Sequence, residues 1–445
     1  MHVRMLKGQE KEVFDLAIIG GLVLTIAPYH EFIESGLILI KEGTIMDITK
    51  RELIPNTSVA RDTITAEGCL IMPGLINTHT HAPMSLFRGM ADDLPLMKWL
   101  KDYIFPAEAK LTEDMVYWGT LLSCGEMILS GTTTFCDGYF LEDQVAKAVK
   151  DSGMRAVLAQ GVIDLPAPGI DDPKKNIKHL EKFIQTWKDT SALITPAAFC
   201  HSPYTCSENT LRDAKDITRR YNVPFLIHLS ETEEEVHNLW KRYKKRATHY
   251  LRDLNVLDRD TLAVHCIWLD EDELDVLKEY EVKVSHNPES NMKLGCGVAP
   301  VPEMLQRGII VGLGSDGAAS NNNLDMFQEM DTAAKLHKVT KMDPTVLDAK
   351  SVVEMATIKG AMALNLEGII GSLEKGKRAD LIIIDMQKPH LTPCYNPYSH
   401  IVYAAKCSDV RHVIIDGKVV MKDRKLLTID IEQVMGKVRA MRYMD

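Results

Sequence analysis

The sequence predicts a (β/α)8 barrel of the TIM type with one small β domain assembled from both ends of the chain. Three observations predict it. Eight short apolar runs alternate with helix-length segments through the middle of the chain. These units occupy about 300 residues, close to the ~250 typical of such barrels and too regular for an open sheet. Polar side chains able to do chemistry stand at the C-terminal ends of the runs, where barrels of this type place their sites.

The elements follow in order. The first dozen residues are polar and read as a loose tail. Runs at 14–19 and 22–26 flank a Gly20-Gly21 turn, and runs at 36–40 and 44–48 flank Glu42-Gly43. The C-terminal part repeats this style at 379–384 and 410–415, and Asp416-Gly417 is a hairpin signal before 418–421. Residues 1–70 and 373–445 are therefore assigned to the small β domain and 71–372 to the barrel. Within the barrel the strand runs are 70–76, 132–136, 156–161, 193–200, 224–228, 261–265, 282–286 and 309–314. Helical segments such as 112–130, 207–221 and 271–280 separate them.

Composition narrows the class. Apolar residues make up 45% and charged residues 26%, ordinary for a soluble globular protein. A net charge of −10 argues against nucleic acid or an anionic membrane as partner, since both call for a basic excess. The basic cluster Lys241-Arg242 and Lys244-Lys245-Arg246 reads as a solvated helix face. The apolar run 16–26 is too short to span a bilayer, which takes about 20 residues. Glu12 and Asp15 stand where a signal peptide carries positive charge. Nine scattered cysteines without a Cys-x-x-Cys pair do not read as a disulfide framework. A reducing cytoplasm fits them.

His79 and His81 are two residues apart on the first run, so alternation turns both the same way. His228 ends the fifth run and Asp316 follows the eighth. Three histidines and one aspartate form a ligand set for one divalent metal, with zinc favoured and iron or another transition metal also compatible. Any one of them alone reads equally well as a core histidine or a capping aspartate. A divalent metal lowers the pKa of its water towards about 7, and proton handlers must accompany it. Glu231 lies three residues after His228, placed to protonate a ring nitrogen, although alone it reads as a helix-start acid. His265 ends the sixth run and can hold the attacking hydroxide. Asp316 can accept the water proton. His201 ends the fourth run, as a substrate contact or as a loop hydrogen-bonder. His286 reads as structural, orienting the loop around Asn287 and Asn291. The pattern predicts metal-assisted hydrolysis.

Six stretches carry a resemblance: residues 73–81 (Pro-Gly-Leu-Ile-Asn-Thr-His-Thr-His), 200–204 (Cys-His-Ser-Pro-Tyr), 228–231 (His-Leu-Ser-Glu), 264–266 (Val-His-Cys), 285–288 (Ser-His-Asn-Pro) and 314–322 (Gly-Ser-Asp-Gly-Ala-Ala-Ser-Asn-Asn). Together they resemble the amidohydrolase superfamily, and within it the methylthioadenosine/S-adenosylhomocysteine deaminases. The likeness runs over nearly the whole chain, and the β-rich ends resemble that family's composite β-sandwich. By position it implies His79, His81, His228 and Asp316 as metal ligands. It implies Glu231, His265 and Asp316 as catalytic groups. His201 and Glu108 become substrate contacts, with Glu108 on the ribose. Read without the resemblance, Glu108 is only an exposed helix acid.

A carboxylated lysine would bridge two metals in dinuclear relatives. Residues 197–201 hold none, which implies one metal. One departure stands out: Gln160, with Lys174 and Lys175 in the following loop, replaces arginines expected to hold the amino-acid tail of S-adenosylhomocysteine. The expected activity is hydrolytic deamination of an adenine nucleoside: 5-methylthioadenosine, S-adenosylhomocysteine, 5′-deoxyadenosine or adenosine. The product is of the inosine type, with ammonia. Alternatives are a triazine chlorohydrolase or deaminase, a pterin or free-base deaminase, and, from another class, a non-catalytic scaffold. The expected partner is a small nucleoside. Relatives are often homo-oligomers, and no interface signature is legible here.

Overall fold

A computed structural model of the chain describes residues 13–28, 31–53, 59–170 and 172–441. The tail expected before residue 13 lies outside the described residues. Eight parallel strands form one sheet in sequential order. We number them β1 (Leu75–Thr80), β2 (Thr132–Tyr139), β3 (Arg155–Val162), β4 (Ile194–Cys200), β5 (Phe225–Leu229), β6 (Thr261–His265), β7 (Lys283–His286) and β8 (Val311–Leu313). The circle closes between the ends of β8 and β1. There the Asp316 N–H donates to the His79 carbonyl (3.0 Å) and the Ser315 N–H to Asn77 Oδ1 (3.0 Å).

Strand alternation sorts the side chains. Val157, Ala159, Ala197, Phe199, Leu226 and Leu262 fill the barrel interior together with Ile76 and Cys136. Ala156, Leu158 and Val162, one residue out of phase, pack outward under the helices. Both faces are buried, which is why the runs read as continuously apolar rather than alternating.

Two further sheets come from the chain ends. One orders strands Thr44–Lys50, Gly36–Lys41, Val13–Ile19 and Val59–Thr65. The other joins Lys425–Leu426, Lys418–Lys422, Val410–Ile415 and Leu381–Asp385 to Cys69–Pro73, Leu22–Leu24 and Phe32–Glu34. Their facing side chains, among them Ile18, Ile38, Ile40, Ile71, Leu381 and Ile383, form a separate core. The other faces of the same strands, Leu70, Met72, Ile382 and Ile384, belong to the core shared with the barrel.

The expected first barrel strand at 70–76 is two strands. Cys69–Pro73 pairs antiparallel with Leu381–Asp385, and the barrel strand begins only at Leu75. The chain changes sheets at Gly74, where a Cβ would collide with the Thr133 side chain. At the other end, helix Ile431–Ala440 lies on the barrel helix Glu113–Leu129. A Cβ at Gly125 would stand 2.7 Å from Ile431 Cδ1. Arg155, at the start of β3, ties the two parts together. Its Nε and Nη2 donate to Asp380 (2.7 and 3.1 Å), and Nη2 also donates to Asp416 (3.2 Å). All nine cysteines are free. No helix among the described residues is long and apolar enough to cross a membrane.

Candidate metal centre and cavity

The site is built where the strands end. Ile76 points into the barrel, and Thr78 Oγ1 reaches Ser285 Oγ across it (2.7 Å). Strict alternation would then send His79 outward. The β1–β2 register instead shifts between Asn77 and Thr80, an irregularity that re-aims the strand end as bulges do. Asn77 Oδ1 accepts the His79 N–H (3.3 Å) and holds the shifted stretch against Ser315. His79 and His81 thus both meet Asp316.

His79 Nε2 and His81 Nε2 lie 3.5 and 3.3 Å from Asp316 Oδ1, and His228 Nε2 lies 3.3 Å from His79 Nε2. The ligand atoms of His79, His81 and Asp316 fall within 4.8 Å of one another, as do those of His79, His228 and His265. His79 is common to both groups, and His228 joins His81 and Asp316 only through it. Around a tetrahedral zinc with ~2.0–2.1 Å bonds to nitrogen, neighbouring ligand atoms stand about 3.3 Å apart. The separations of His79 and His81 from Asp316, and of His228 from His79, match that value.

Protonation states suit the same role. Burial pushes the His79 imidazole down to about 4, lowers His81, and takes His228 well below its ordinary value. All three are neutral at pH 7. His81 Nδ1–H donates to the Gly138 carbonyl (2.6 Å), which leaves the Nε2 lone pair facing inward. Burial favours the neutral acid at Asp316, but the hydrogen bond from His79 and the surrounding imidazoles outweigh it and hold the carboxyl well below its usual range. Its Oδ2 accepts from Ser290 Oγ (2.6 Å) and Ser320 Oγ (2.8 Å), which fixes Oδ1 towards the histidines.

Glu231 and His265 stand beside this cluster. Glu231 Oε2 is 3.9 Å from His265 Nε2. Burial raises the Glu231 carboxyl despite the opposing pull of His265. His265 Nδ1 lies 2.9 Å from Asn291 Oδ1 and 3.3 Å from Asn287 Nδ2, which leaves Nε2 facing the site. Three residues here adopt the left-handed backbone that side chains disfavour: Ser230 (φ 51°), His265 (φ 69°) and Asp316 (φ 60°). Such strain concentrates where a side chain must be aimed.

A cavity of about 620 Å³ opens above the cluster. Its lining includes His81, His228, His265, Glu231 and Asp316, together with Glu108 and His201. Glu108 is not an exposed helix acid. It is 8% exposed, accepts a hydrogen bond from Tyr139 Oη (2.6 Å), and is pushed up to about 7 by burial. The excursion after β1 carries it: helix Leu96–Trp99, a π-helical turn Leu100–Ile104, then Phe105–Glu108. His201 Nδ1 lies 3.0 Å from Thr205 Oγ1, and burial pushes it down to about 4.

Other expected placements differ. Gln160 shares the outward face of β3 with Leu158 and Val162, donates to the Gly161 carbonyl (3.2 Å), and does not line the cavity. Gln160 therefore makes no direct contact with the cavity. Lys174 and Lys175 are exposed and also stand outside the lining. The partner of His286 is His337 (Nε2 to Nε2 3.1 Å), not the loop. Asn77, Ser290, Asn291 and Ser320 position the site, yet no spacing in the sequence marks them. The stretches 73–81, 285–288 and 314–322 and the loop around Asn291 mark their neighbourhoods without giving them roles.

Comparison with known proteins places this geometry. The amidohydrolase family model matches residues 70–420. The 5-methylthioadenosine/S-adenosylhomocysteine deaminase of Syntrophobacter fumaroxidans is 51% identical over 425 residues, covering 96% of this chain and 97% of that one. The 5′-deoxyadenosine deaminase of Methanosarcina acetivorans is 47% identical over 427 residues, with the same coverage of 96% and 97%. Among solved structures, a zinc-bound adenosine deaminase from Xanthomonas campestris superposes with a TM-score of 0.94 at 34% identity, covering 97% of this chain and 98% of that one. Zinc-bound atrazine chlorohydrolase from Arthrobacter aurescens matches at 0.89 and 21% identity, with 96% and 99% covered, a likeness of fold alone.

Proposed function

The chain belongs to the amidohydrolase family, and from that premise we propose that it is a metal-dependent deaminase converting an adenine nucleoside to its inosine-type product and ammonia. The reading is carried by His79, His81 and Asp316, whose ligand atoms form one close group with His228 3.3 Å from His79, beneath a cavity that also holds Glu231, His265 and Glu108. The relatives named for deamination of adenine nucleosides support the choice of ring.

His79, His81, His228 and Asp316 would hold one divalent ion, zinc by the donor set. When bound, such an ion supplies a hydrolytic nucleophile at neutral pH. The chain's own residues do the rest. Glu231, its carboxyl raised by burial, delivers a proton to the ring nitrogen beside the amino-bearing carbon, N1 of the purine. His265, with Nδ1 held beside Asn291, orients the attacking water through Nε2. Asp316 takes the proton that this water gives up and passes it to the departing amino group. C6 gains the oxygen, the C–N bond breaks and ammonia leaves, while the remaining hydroxyl proton returns to Glu231 as C6=O forms. Glu108, beside Tyr139, binds the ribose hydroxyls, and His201 orients the nucleoside.

The test is ammonia release by metal-loaded enzyme from adenosine, methylthioadenosine, 5′-deoxyadenosine and S-adenosylhomocysteine, with guanine and a triazine alongside. Turnover confined to the last two would replace the nucleoside reading with the heterocycle one. Glu108→Gln should lower nucleoside turnover about 100-fold and leave any turnover of a bare ring much less affected. Metal analysis addresses the scaffold alternative. Protein that neither contains a metal nor gains activity from one would favour it.

A further inference from the structure

We propose that the cavity selects adenine nucleosides whose 5′ carbon carries hydrogen or a short, uncharged apolar group, and discriminates against a 5′ tail ending in an amino acid. This rests on the nucleoside reading above and narrows it.

The argument lies in what surrounds the space beyond Glu108. The proton-handling groups and metal ligands sit at the strand ends. The segments reaching past them are the excursion after β1 and the loop after β3. The first contributes Leu96, Trp99 and Leu100 to the lining, and the second contributes Ile163, Leu165 and Pro166. Among the described residues, no lysine or arginine lines the cavity, while three carboxyl groups do: Glu108, Glu231 and Asp316. Lys98, Lys101 and Lys110 adjoin the lining residues Trp99, Leu100 and Ala109, but their side chains are exposed and stand outside the lining. Lys293, next to the lining residue Leu294, donates to Asp92 and Asn322. Arg88 is bound to Glu126 and to the Asn322 carbonyl.

Part of this loop's backbone has no donor to offer. Pro166 and Pro168 have no N–H, and the Ala167 N–H is spent on the Ile170 carbonyl (3.1 Å). The one charged side chain at the start of this loop, Asp164, faces the other way and accepts from Ser207 N (2.6 Å) and Thr210 Oγ1 (2.7 Å). An amino-acid carboxylate would thus leave water for a largely apolar wall with no guanidinium or ammonium in the lining to receive it. A methyl or methylthio group would instead bury apolar surface against Trp99 and the leucines.

The test is kcat/KM of the metal-loaded enzyme for three substrates: methylthioadenosine, its butylthio analogue and S-adenosylhomocysteine. The butylthio compound separates tail length from tail charge. It should be turned over within about 10-fold of methylthioadenosine, with S-adenosylhomocysteine about 100-fold below. A value for S-adenosylhomocysteine within 10-fold of methylthioadenosine would overturn the proposal. So would a butylthio compound as poor as S-adenosylhomocysteine, because length would then decide. Absence of ammonia from all three would instead sink the nucleoside reading itself. Leu165→Arg, at a half-exposed loop position, should raise the S-adenosylhomocysteine to methylthioadenosine ratio at least ~10-fold. An unchanged ratio would count against the tail lying on this loop.

Discussion

Glu231 shows how one side chain acquires a role its sequence context conceals. It stands in Ser-Glu-Thr-Glu-Glu-Glu, where acids favour a helix start. The left-handed Ser230 before it turns the side chain off the helix axis and into the cavity, within 3.9 Å of His265. Burial then raises its carboxyl, which suits a proton donor at neutral pH. Glu231→Gln keeps the shape and removes the transferable proton. Ammonia release should fall about 10²–10⁴-fold, with metal content unchanged because the ligand atoms are untouched. A variant retaining a tenth of the activity would remove Glu231 from the proton path. His81 makes the complementary point. Its hydrogen bond to the Gly138 carbonyl decides which ring nitrogen is free, and a spacing of two residues cannot encode that partner.

The turn after β5 and the helix Glu233–Tyr243 act as one device. Thr232 caps the helix by accepting the Glu235 N–H (3.2 Å), and the Glu235 carboxyl reaches back to the N–H groups of Ser230 (3.3 Å) and Glu231 (3.0 Å). Burial, with Glu231 nearby, pushes Glu235 up to about 8. Glu235 is a positioning residue: it ties down the left-handed turn that aims Glu231. Glu235→Ala should lower kcat about 10-fold with little change in KM, and Glu235→Gln, which still accepts hydrogen bonds, should recover most of the loss. Equal loss in both variants would point to charge rather than positioning.

On the opposite side, helix Met326–Lys341 docks on β7 through the buried pair His286 and His337. Burial pushes His337 down to about 4 and His286 well below its ordinary value. The unfolded chain takes up these protons near 6.5. The folded chain does not take up the His337 proton until about 4. Stability is therefore full above 6.5 and falls as the pH drops towards 4. The urea midpoint should decline less steeply between pH 7 and 5 in His337→Gln than in the unaltered protein, and parallel declines would exclude the pair as a source. At this scale the strand ends were legible from sequence, because chemistry-bearing residues close apolar runs. The bulge in β1 and the caps that hold the turns were not, since they depend on partners such as Ser315.

For the whole molecule, the eight barrel units were legible because burial on both faces writes an unbroken apolar run for each strand. The junction with the small domain was hidden for the same reason. Residues 70–76 form one apolar run that serves two sheets, and the Pro73-Gly74 pair is its local mark. The junction is more than a covalent link. Arg155, 3% exposed at the foot of β3, forms ion pairs with Asp380 and Asp416 and also donates to the Ala192 carbonyl (2.6 Å). Asp416 reaches Arg378 as well, which together with Arg155 outweighs burial and holds its carboxyl below the usual range. Neither aspartate is free to turn to solvent without opening the contact between barrel and sandwich. Arg155→Leu keeps apolar bulk but strands Asp380, 3% exposed, without its guanidinium. The expected cost is about 3–5 kcal/mol, the range for breaking one side of a buried pair. It should read out as a lowered urea midpoint while the metal site, at the far ends of the strands, retains its ion. A loss below ~1 kcal/mol would mean that water reaches the pair, and that apolar packing of Leu70, Met72, Ile382 and Ile384 alone joins the two parts.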